Sequence, residues 1–403
     1  MGGALLELLA VGEQDVHLIN NPQFSYFKSV HRRHTNFAIE SIPQHFKENA
    51  DFGQKVTCII EKKGDLLHQI FLEIHLPALM ENVSWVNSIG TNIIKKIDFL
   101  IGGIEICSLR GEYLDIHNEL TTDGGKRSAY YKMVGKFSSY TRNSQTGALK
   151  LIVPIPFWFC KEIHNALPII AMQYSEIRVN VDFRPFSECW YSGTSMSITP
   201  DTKTITNATL YCDYIYLDRH ERIKTATQES YQYLIEQVQI EEGNNVAGNI
   251  TDAIVHFNFN HPVKELLWLY QANSIRDTND WSNYSKILDD DTQIQQKTAP
   301  LDYITYKING LERFQRRFAD YFRLVVPFQR HTSVNSDSFI YTYSFSLTPE
   351  KHQPSGSCNF SKIDNNQLLL EMETNVPAGQ IRIYAVNYNL IKIKNGMTGL
   401  AYS

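Results

Sequence analysis

The stretch Ile177-Arg178-Val179-Asn180-Val181-Asp182-Phe183 alternates apolar and polar side chains without a fault. A period of two sends successive side chains to opposite faces, the mark of a strand with one buried side. The same period recurs in both directions from this stretch. Upstream, Ile70, Leu72, Ile74 and Leu76 alternate with Phe71, Glu73 and His75 after the turn pair Gly64-Asp65. Ile97-Asp98-Phe99-Leu100-Ile101 and Ile104-Glu105-Ile106-Cys107 flank Gly102-Gly103, a two-residue loop that supplies the positive φ angles of a tight hairpin. Downstream, the β-rich run Leu210 to Leu217 closes this half. Val255, Phe257 and Phe259 then resume the pattern, followed by Val263 to Tyr270. Phe339, Tyr341, Tyr343, Phe345 and Leu347 alternate with smaller residues, and a last run from Ile381 to Lys394 ends at Asn395-Gly396.

Helix signals are few: a short apolar opening (Leu5, Leu6, Leu8, Leu9) and Asn21-Pro22, which reads as a helix start. A chain of 403 residues exceeds the usual size of one hydrophobic core, so two domains are expected. The charged, β-poor stretch Asp218-Arg219-His220-Glu221-Arg222-Ile223-Lys224 separates two strand-rich halves and is the expected junction. Val153-Pro154-Ile155-Pro156-Phe157 and Val326-Pro327-Phe328 lie roughly 170 residues apart, an echo that a duplicated β-domain would produce. Many short strands separated by turn signals suggest sandwiches or barrels, among which jelly rolls are the eight-stranded type built from two Greek keys. Periodicity does not choose between a jelly roll and another sandwich.

Hydrophobic residues make up 43% of the chain and charged residues 20%, with 22 Tyr and 21 Phe, a globular composition rich in strand formers. A net charge of -5 gives no global attraction to phosphate backbones, so genome packaging is not expected. No stretch approaches the roughly 20 uninterrupted apolar residues that cross a bilayer, and the start lacks the basic region of a signal peptide. The protein is therefore expected to be made and used in the cytosol. Gly2 invites a myristoylation reading, but Leu6 stands where that motif wants Ser or Thr. Six cysteines without a C-x-x-C pair read as reduced core residues. The sequons at Asn82, Asn207, Asn249, Asn283 and Asn359 read as chance matches.

Several clusters could carry chemistry. His31-Arg32-Arg33-His34 spaces two imidazoles at i and i+3, but the guanidinium groups between them would repel a metal ion. Arg313, Arg316 and Arg317 interleave with Phe314 and Phe318, a basic and aromatic patch that suits a subunit contact better than nucleic acid in so acidic a chain. Asp289-Asp290-Asp291 lacks the glycine and distal glutamate of a calcium loop and reads as a solvated loop. No Walker loop, zincin helix or nucleophile elbow occurs, so neither catalysis nor a cofactor or metal is expected.

Motifs spread over the whole chain resemble the major capsid proteins of nucleocytoplasmic large DNA viruses. Near the start these are Asn21-Pro22-Gln23, Arg32-Arg33-His34-Thr35-Asn36-Phe37-Ala38, Asp51-Phe52-Gly53 and Gly64-Asp65-Leu66. Mid-chain they are Pro154-Ile155-Pro156-Phe157-Trp158-Phe159, Ala166-Leu167-Pro168 and Asp213-Tyr214-Ile215-Tyr216-Leu217-Asp218. The second half adds Glu236-Gln237-Val238-Gln239 and His261-Pro262-Val263-Lys264-Glu265-Leu266. The C-terminal part supplies Gln353-Pro354-Ser355-Gly356-Ser357-Cys358-Asn359-Phe360-Ser361 and the closing Asn395-Gly396-Met397-Thr398-Gly399-Leu400-Ala401-Tyr402-Ser403.

The resemblance implies an all-β fold of two tandem eight-stranded jelly rolls, with short helices in loops and at the N-terminus. It places an N-terminal segment (1–24) at the base of a capsomer, a first jelly roll at 25–217, a linker at 218–230 and a second jelly roll at 231–403. It further implies a homotrimer of pseudo-hexagonal outline, neighbouring capsomers and minor capsid proteins as partners, and an internal viral membrane facing the N-terminal segment. No direct contact with nucleic acid is expected. The implied location is the virion capsid, with assembly in the host cytoplasm. The residues expected to matter are Phe157, Trp158, Phe159 and Trp268 for packing, within one domain or between subunits. As family motif positions they are joined by Asn36, Phe37, Glu236, Gln237, Pro354, Ser355, Gly356, Asn359 and Phe360. Two rivals remain on a related scaffold: a metal-dependent cupin-like enzyme, for which the sequence lacks an H-x-H pair, and a glycan binder with exposed Trp or Tyr platforms on loops such as Asn279 to Tyr284.

Overall fold

The computed structural model describes residues 2–81, 83–136, 146–192, 201–286 and 298–402. In the first half the strands are β1 (Phe37–Gln44), β2 (Lys55–Ile60), β3 (Leu66–Leu76), β4 (Val83–Trp85), β5 (Ile94–Ile101), β6 (Ile104–Leu109), β7 (Leu149–Pro154), β8 (Ile177–Phe183), β9 (Trp190–Ser192) and β10 (Asn207–Leu217). One sheet has the order β1-β10-β3-β7 and the other β2-β8-β5-β6, while β4 and β9 form a small ribbon. The second half contains β11 (Ser230–Val246), β12 (Asp252–Phe257), β13 (Pro262–Ala272), β14 (Leu301–Ile308), β15 (Leu311–Phe318), β16 (Tyr341–Ser344), β17 (Cys358–Asn359), β18 (Asn366–Met372), β19 (Gly379–Lys394) and β20 (Met397–Leu400). Its sheets run β11-β19-β13-β16 and β12-β18-β14-β15.

With the short β4, β9, β17 and β20 set aside, the two halves have one wiring. In each, the first strand pairs with the eighth, the eighth with the third and the third with the sixth. In each, the second pairs with the seventh, the seventh with the fourth and the fourth with the fifth. That order, all antiparallel, is the jelly roll, here formed twice. The helix Arg219–Thr227 joins the halves and is tied to the first by an ion pair of its Arg222 with the buried Asp65 at 3.0 Å. Residues 1–36 form a separate unit, with short helices at Gly3–Leu9 and Val16–Ile19 and no buried side chain in either.

Local chemistry explains most of these elements. β8 buries every second residue, as its alternation requires. Gly102 and Gly103 have φ of +60° and +84°, the paired left-handed geometry of the tight turn between β5 and β6. Asn395 and Gly396, at +52° and +77°, do the same between β19 and β20.

Three expectations need correction. Asn21-Pro22 does not start a helix: Asn21 has a φ of +48° and follows the end of the helix Val16–Ile19, so it acts as a stop. The echo between 153–157 and 326–328 is not a structural repeat, because Val153-Pro154 ends strand β7 whereas Val326-Pro327 opens a helix, with proline at its first turn. The alternating run from Phe339 to Leu347 yields only the four-residue β16. Phe339 enters it at a φ of +50°, and the Ser344 hydroxyl turns back on the chain, donating to the Ser346 carbonyl at 2.7 Å.

β13 shows how the halves join. Nearly all of it is buried, on both faces. Leu266, Trp268 and Tyr270 point into the second sandwich's own core, while Leu267 and Leu269 join the core of the first. Its neighbour β19 likewise serves both cores, Ile381, Ile383 and Ala385 belonging to the second and Tyr384, Val386, Ile391 and Ile393 to the first. The outer face of this second-half sheet is thus a wall of the first core, and the two sandwiches are one rigid body by apolar burial.

Candidate functional site

Charged side chains lie buried in the seam between the sandwiches. Glu236 of β11 sits at its centre, 4% exposed. Lys161, at the end of the short helix Trp158–Lys161, donates to its Oε2 at 2.5 Å, and Lys264 of β13, fully buried, lies 2.6 Å from its Oε1. One carboxylate therefore bridges a cation from each half. Burial pushes the Glu236 carboxyl up, but the two ammonium groups overcome it and hold it down at about 2. Beside this trio, the buried His331 ring lies between Glu265 Oε2 at 3.4 Å and Glu350 Oε1 at 3.3 Å.

Two further polar bridges cross the seam. Arg382 of β19 pairs with Glu112, in the helix Gly111–Thr121, at 2.8 Å, and the Tyr384 hydroxyl donates to the same carboxylate. Lys136 pairs with Asp115 at 2.8 Å and with Glu119 at 2.6 Å. The other Glu119 oxygen accepts from Asn335 of the second half at 2.8 Å. Burial works against the Lys136 charge, yet the two carboxylates raise its pKa above the ordinary lysine value. Buried ions in such numbers are costly and add little net stability, but they demand one geometry. Shifting one sandwich against the other would leave one partner of each pair buried and uncompensated, which is costly.

The packing residues read from the sequence all lie inside the chain. Phe157, Trp158 and Phe159 are at most 2% exposed and surround Phe99 with ring centroids 5.0 to 5.4 Å away. Trp268 stacks on Tyr341 at 6.3 Å in the second core. The motif positions hold loops and seams. Gln237 donates across to the Ile106 carbonyl of β6 at 2.6 Å and accepts from Asn389 at 3.0 Å. In the loop containing Pro354, the Ser355 hydroxyl lies 2.5 Å from that of Ser346 and 2.9 Å from that of Thr348. Gly356 has a φ of +135°, and a Cβ there would sit 2.6 Å from the Phe345 carbonyl. The Asn359 side chain accepts from the Ser361 amide at 3.1 Å, and Phe360 is buried beside Phe257 and Phe259. Asn36 ends the N-terminal unit, and Phe37 opens β1 half-exposed.

Sequence reading missed Lys161, Lys264, Glu265, His331, Glu112 and Arg382. The one visible signal was Lys264-Glu265 inside the apolar run Val263 to Tyr270, where two charges have no reason to stand unless something meets them. His31 and His34 lie in an exposed, non-helical stretch, so their spacing does not bring the rings together as a helix would. Asp289, Asp290 and Asp291 lie outside the described residues.

Arg313, Arg316, Arg317 and Phe318 are exposed on β15, which among the described residues is an outermost strand with β14 as its one sheet neighbour. Arg316 stacks over Tyr303 at 3.4 Å, and Glu371 grips it twice, at 2.5 and 2.6 Å. The platform that a glycan binder would need is not presented between Asn279 and Tyr284. Tyr284 is buried, and half-buried Trp281 lies under the Arg184 guanidinium with its Nε1 donating to the Glu188 carbonyl at 2.9 Å. Among the described residues no three His, Cys, Asp or Glu side chains converge as metal ligands.

Comparison with known proteins places these features. Residues 25–218 match the family described as major capsid protein N-terminus, and residues 221–399 match large eukaryotic DNA virus major capsid protein. The chain is 37% identical to the major capsid protein of Pyramimonas orientalis virus and 32% identical to that of Paramecium bursaria Chlorella virus 1, over the full length of both chains in each case. Among solved structures it resembles the quasi-atomic model of the Paramecium bursaria Chlorella virus 1 capsid, with a TM-score of 0.81 at 29% identity, covering 94% of this chain and all of that one. The Faustovirus major capsid protein shares the fold at 12% identity, with a TM-score of 0.77, 97% of this chain and 96% of that one being covered.

Proposed function

Because the chain belongs to the major capsid proteins of large eukaryotic DNA viruses, we propose that three copies of it close into a capsomer of near-hexagonal outline that tiles an icosahedral shell. It is a structural, non-enzymatic protein of the virion capsid. The observation that carries the trimeric reading is the repeated wiring of the two sandwiches together with the charged seam that holds them at one angle. Three rigid pairs around a three-fold axis present six similar sandwiches, so one chain with a closed three-fold interface can fill six-neighbour packing. A loose hinge between the sandwiches would spoil that outline, which is why a seam that adds specificity rather than stability suits the task.

In this reading residues 25–217 and 231–403 are the two tiles and 218–230 the linker. Residues 1–24 lie at the capsomer base, where exposed Leu5, Leu6, Leu8 and Leu9 face minor capsid proteins or an internal membrane. Assembly takes place in the host cytoplasm. Electron microscopy of the purified protein tests the proposal. The expected image is a three-fold particle with six lobes, and particles of two lobes would contradict it.

A further inference from the structure

We propose that the arginine- and aromatic-rich face formed by β15 and the helix Val326–Arg330 is the surface by which one copy grips a second copy of this chain, an inference that rests on the trimeric reading above. Between Leu311 and Arg330 the chain places five of its sixteen arginines and no lysine, together with Phe314, Phe318, Tyr321, Phe322 and Phe328. Arginine and aromatics are the residues enriched in the centres of protein interfaces, whereas lysine is depleted there because its ammonium holds water more tightly.

The face is also built for contact. β15 leaves its outer backbone edge unpaired by any described strand, and the apolar Leu311 and Phe318 stand 77% and 54% exposed at its two ends. The arginines are held in place before any partner arrives. Arg316 is clamped by Glu371 and Tyr303, Arg317 lies over Tyr321 at 4.6 Å and Arg313 over Tyr343 at 5.7 Å. Side chains ordered in advance lose less entropy on binding.

Arg313 and Arg330, with Tyr343 and Cys358, line a cavity of about 480 Å³. Phe328 stands 81% exposed on the helix that lines it, and Leu347, on its wall, 63% exposed. A socket with two guanidinium groups and an apolar rim fits a protein knob that carries a carboxylate. A second copy supplies such a complement: the chain's net charge is -5, and β1 of the first sandwich, whose outer edge no described strand pairs, exposes Ile39 and Glu40. Because that edge belongs to the first sandwich and the arginine face to the second, contact between them is head-to-tail and can close a ring.

The test is the oligomeric state of three full-length variants by mass photometry across a concentration series. Arg313→Glu with Arg330→Glu should weaken association at least tenfold and leave a folded monomer with unchanged circular dichroism. Lys224→Glu, on the exposed linker helix, should behave as the parent chain. Phe328→Ser should dissociate the assembly in the same way, and it decides the matter if the double variant fails to fold. A trimer undisturbed by both the arginine and the Phe328 changes would overturn the inference while leaving the trimeric reading intact. Variants that stay trimeric but lose affinity for a DNA duplex would overturn it in favour of a polyanion surface. A monomeric parent chain would overturn both.

Discussion

Glu236 lies in a strand whose sequence looks ordinary and half-polar, yet it binds a cation from each sandwich. Its loss leaves Lys161 and Lys264 facing each other in a dry seam, so Glu236→Gln should cost about 3 to 5 kcal/mol at neutral pH. The pH dependence has a definite sign. The carboxylate titrates near 4.5 in an unfolded chain and at about 2 when folded, so its contribution is complete above 4.5 and fades as the pH falls towards 2. Urea unfolding at a series of pH values should show the gap between parent and variant narrowing across that window. A gap that stays constant down to pH 2 would mean that Glu236 is not the charged bridge. Little of this was legible beforehand. The Glu236-Gln237 pair stood out only by resemblance, since which charge meets which is decided by strands that are distant in sequence.

At the scale of elements, the tight turns and half-buried strands could be read directly, because a period of two and a Gly-Gly pair depend on local geometry alone. β13 was harder: a strand buried on both faces loses its alternation, and only the meeting of two sandwiches explains why. The false echo at Val326-Pro327-Phe328 has a similar lesson, as proline is at home both at a strand's end and in a helix's first turn. Close approach of elements was also invisible. Gly111 starts the helix Gly111–Thr121, and a Cβ there would lie 2.2 Å from the carbonyl oxygens of both Ile94 and Thr91. Gly103, in the β5–β6 turn, has open space but a φ of +84°. Gly111→Ala should therefore cost about 3 kcal/mol through forced backbone movement. Gly103→Ala should cost only about 1 kcal/mol, from backbone strain. Thermal melts of the two variants check the ranking, and equal losses would show that the helix start can yield.

At the scale of the molecule, the two-domain plan followed from chain length and from the β-poor stretch near 218–224, while the jelly-roll wiring followed only from resemblance. Periodicity counts strands but does not say which lie side by side. The structure adds the reason for two sandwiches in one chain: a seam of apolar wall and paired charge that makes them a single rigid tile. In the trimeric reading proposed above, three such pairs gather around one axis. Light scattering coupled to size exclusion measures that gathering most directly. A mass three times the 46.4 kDa of the chain, constant across micromolar concentrations, is the predicted result, and a mass of one chain would contradict the account.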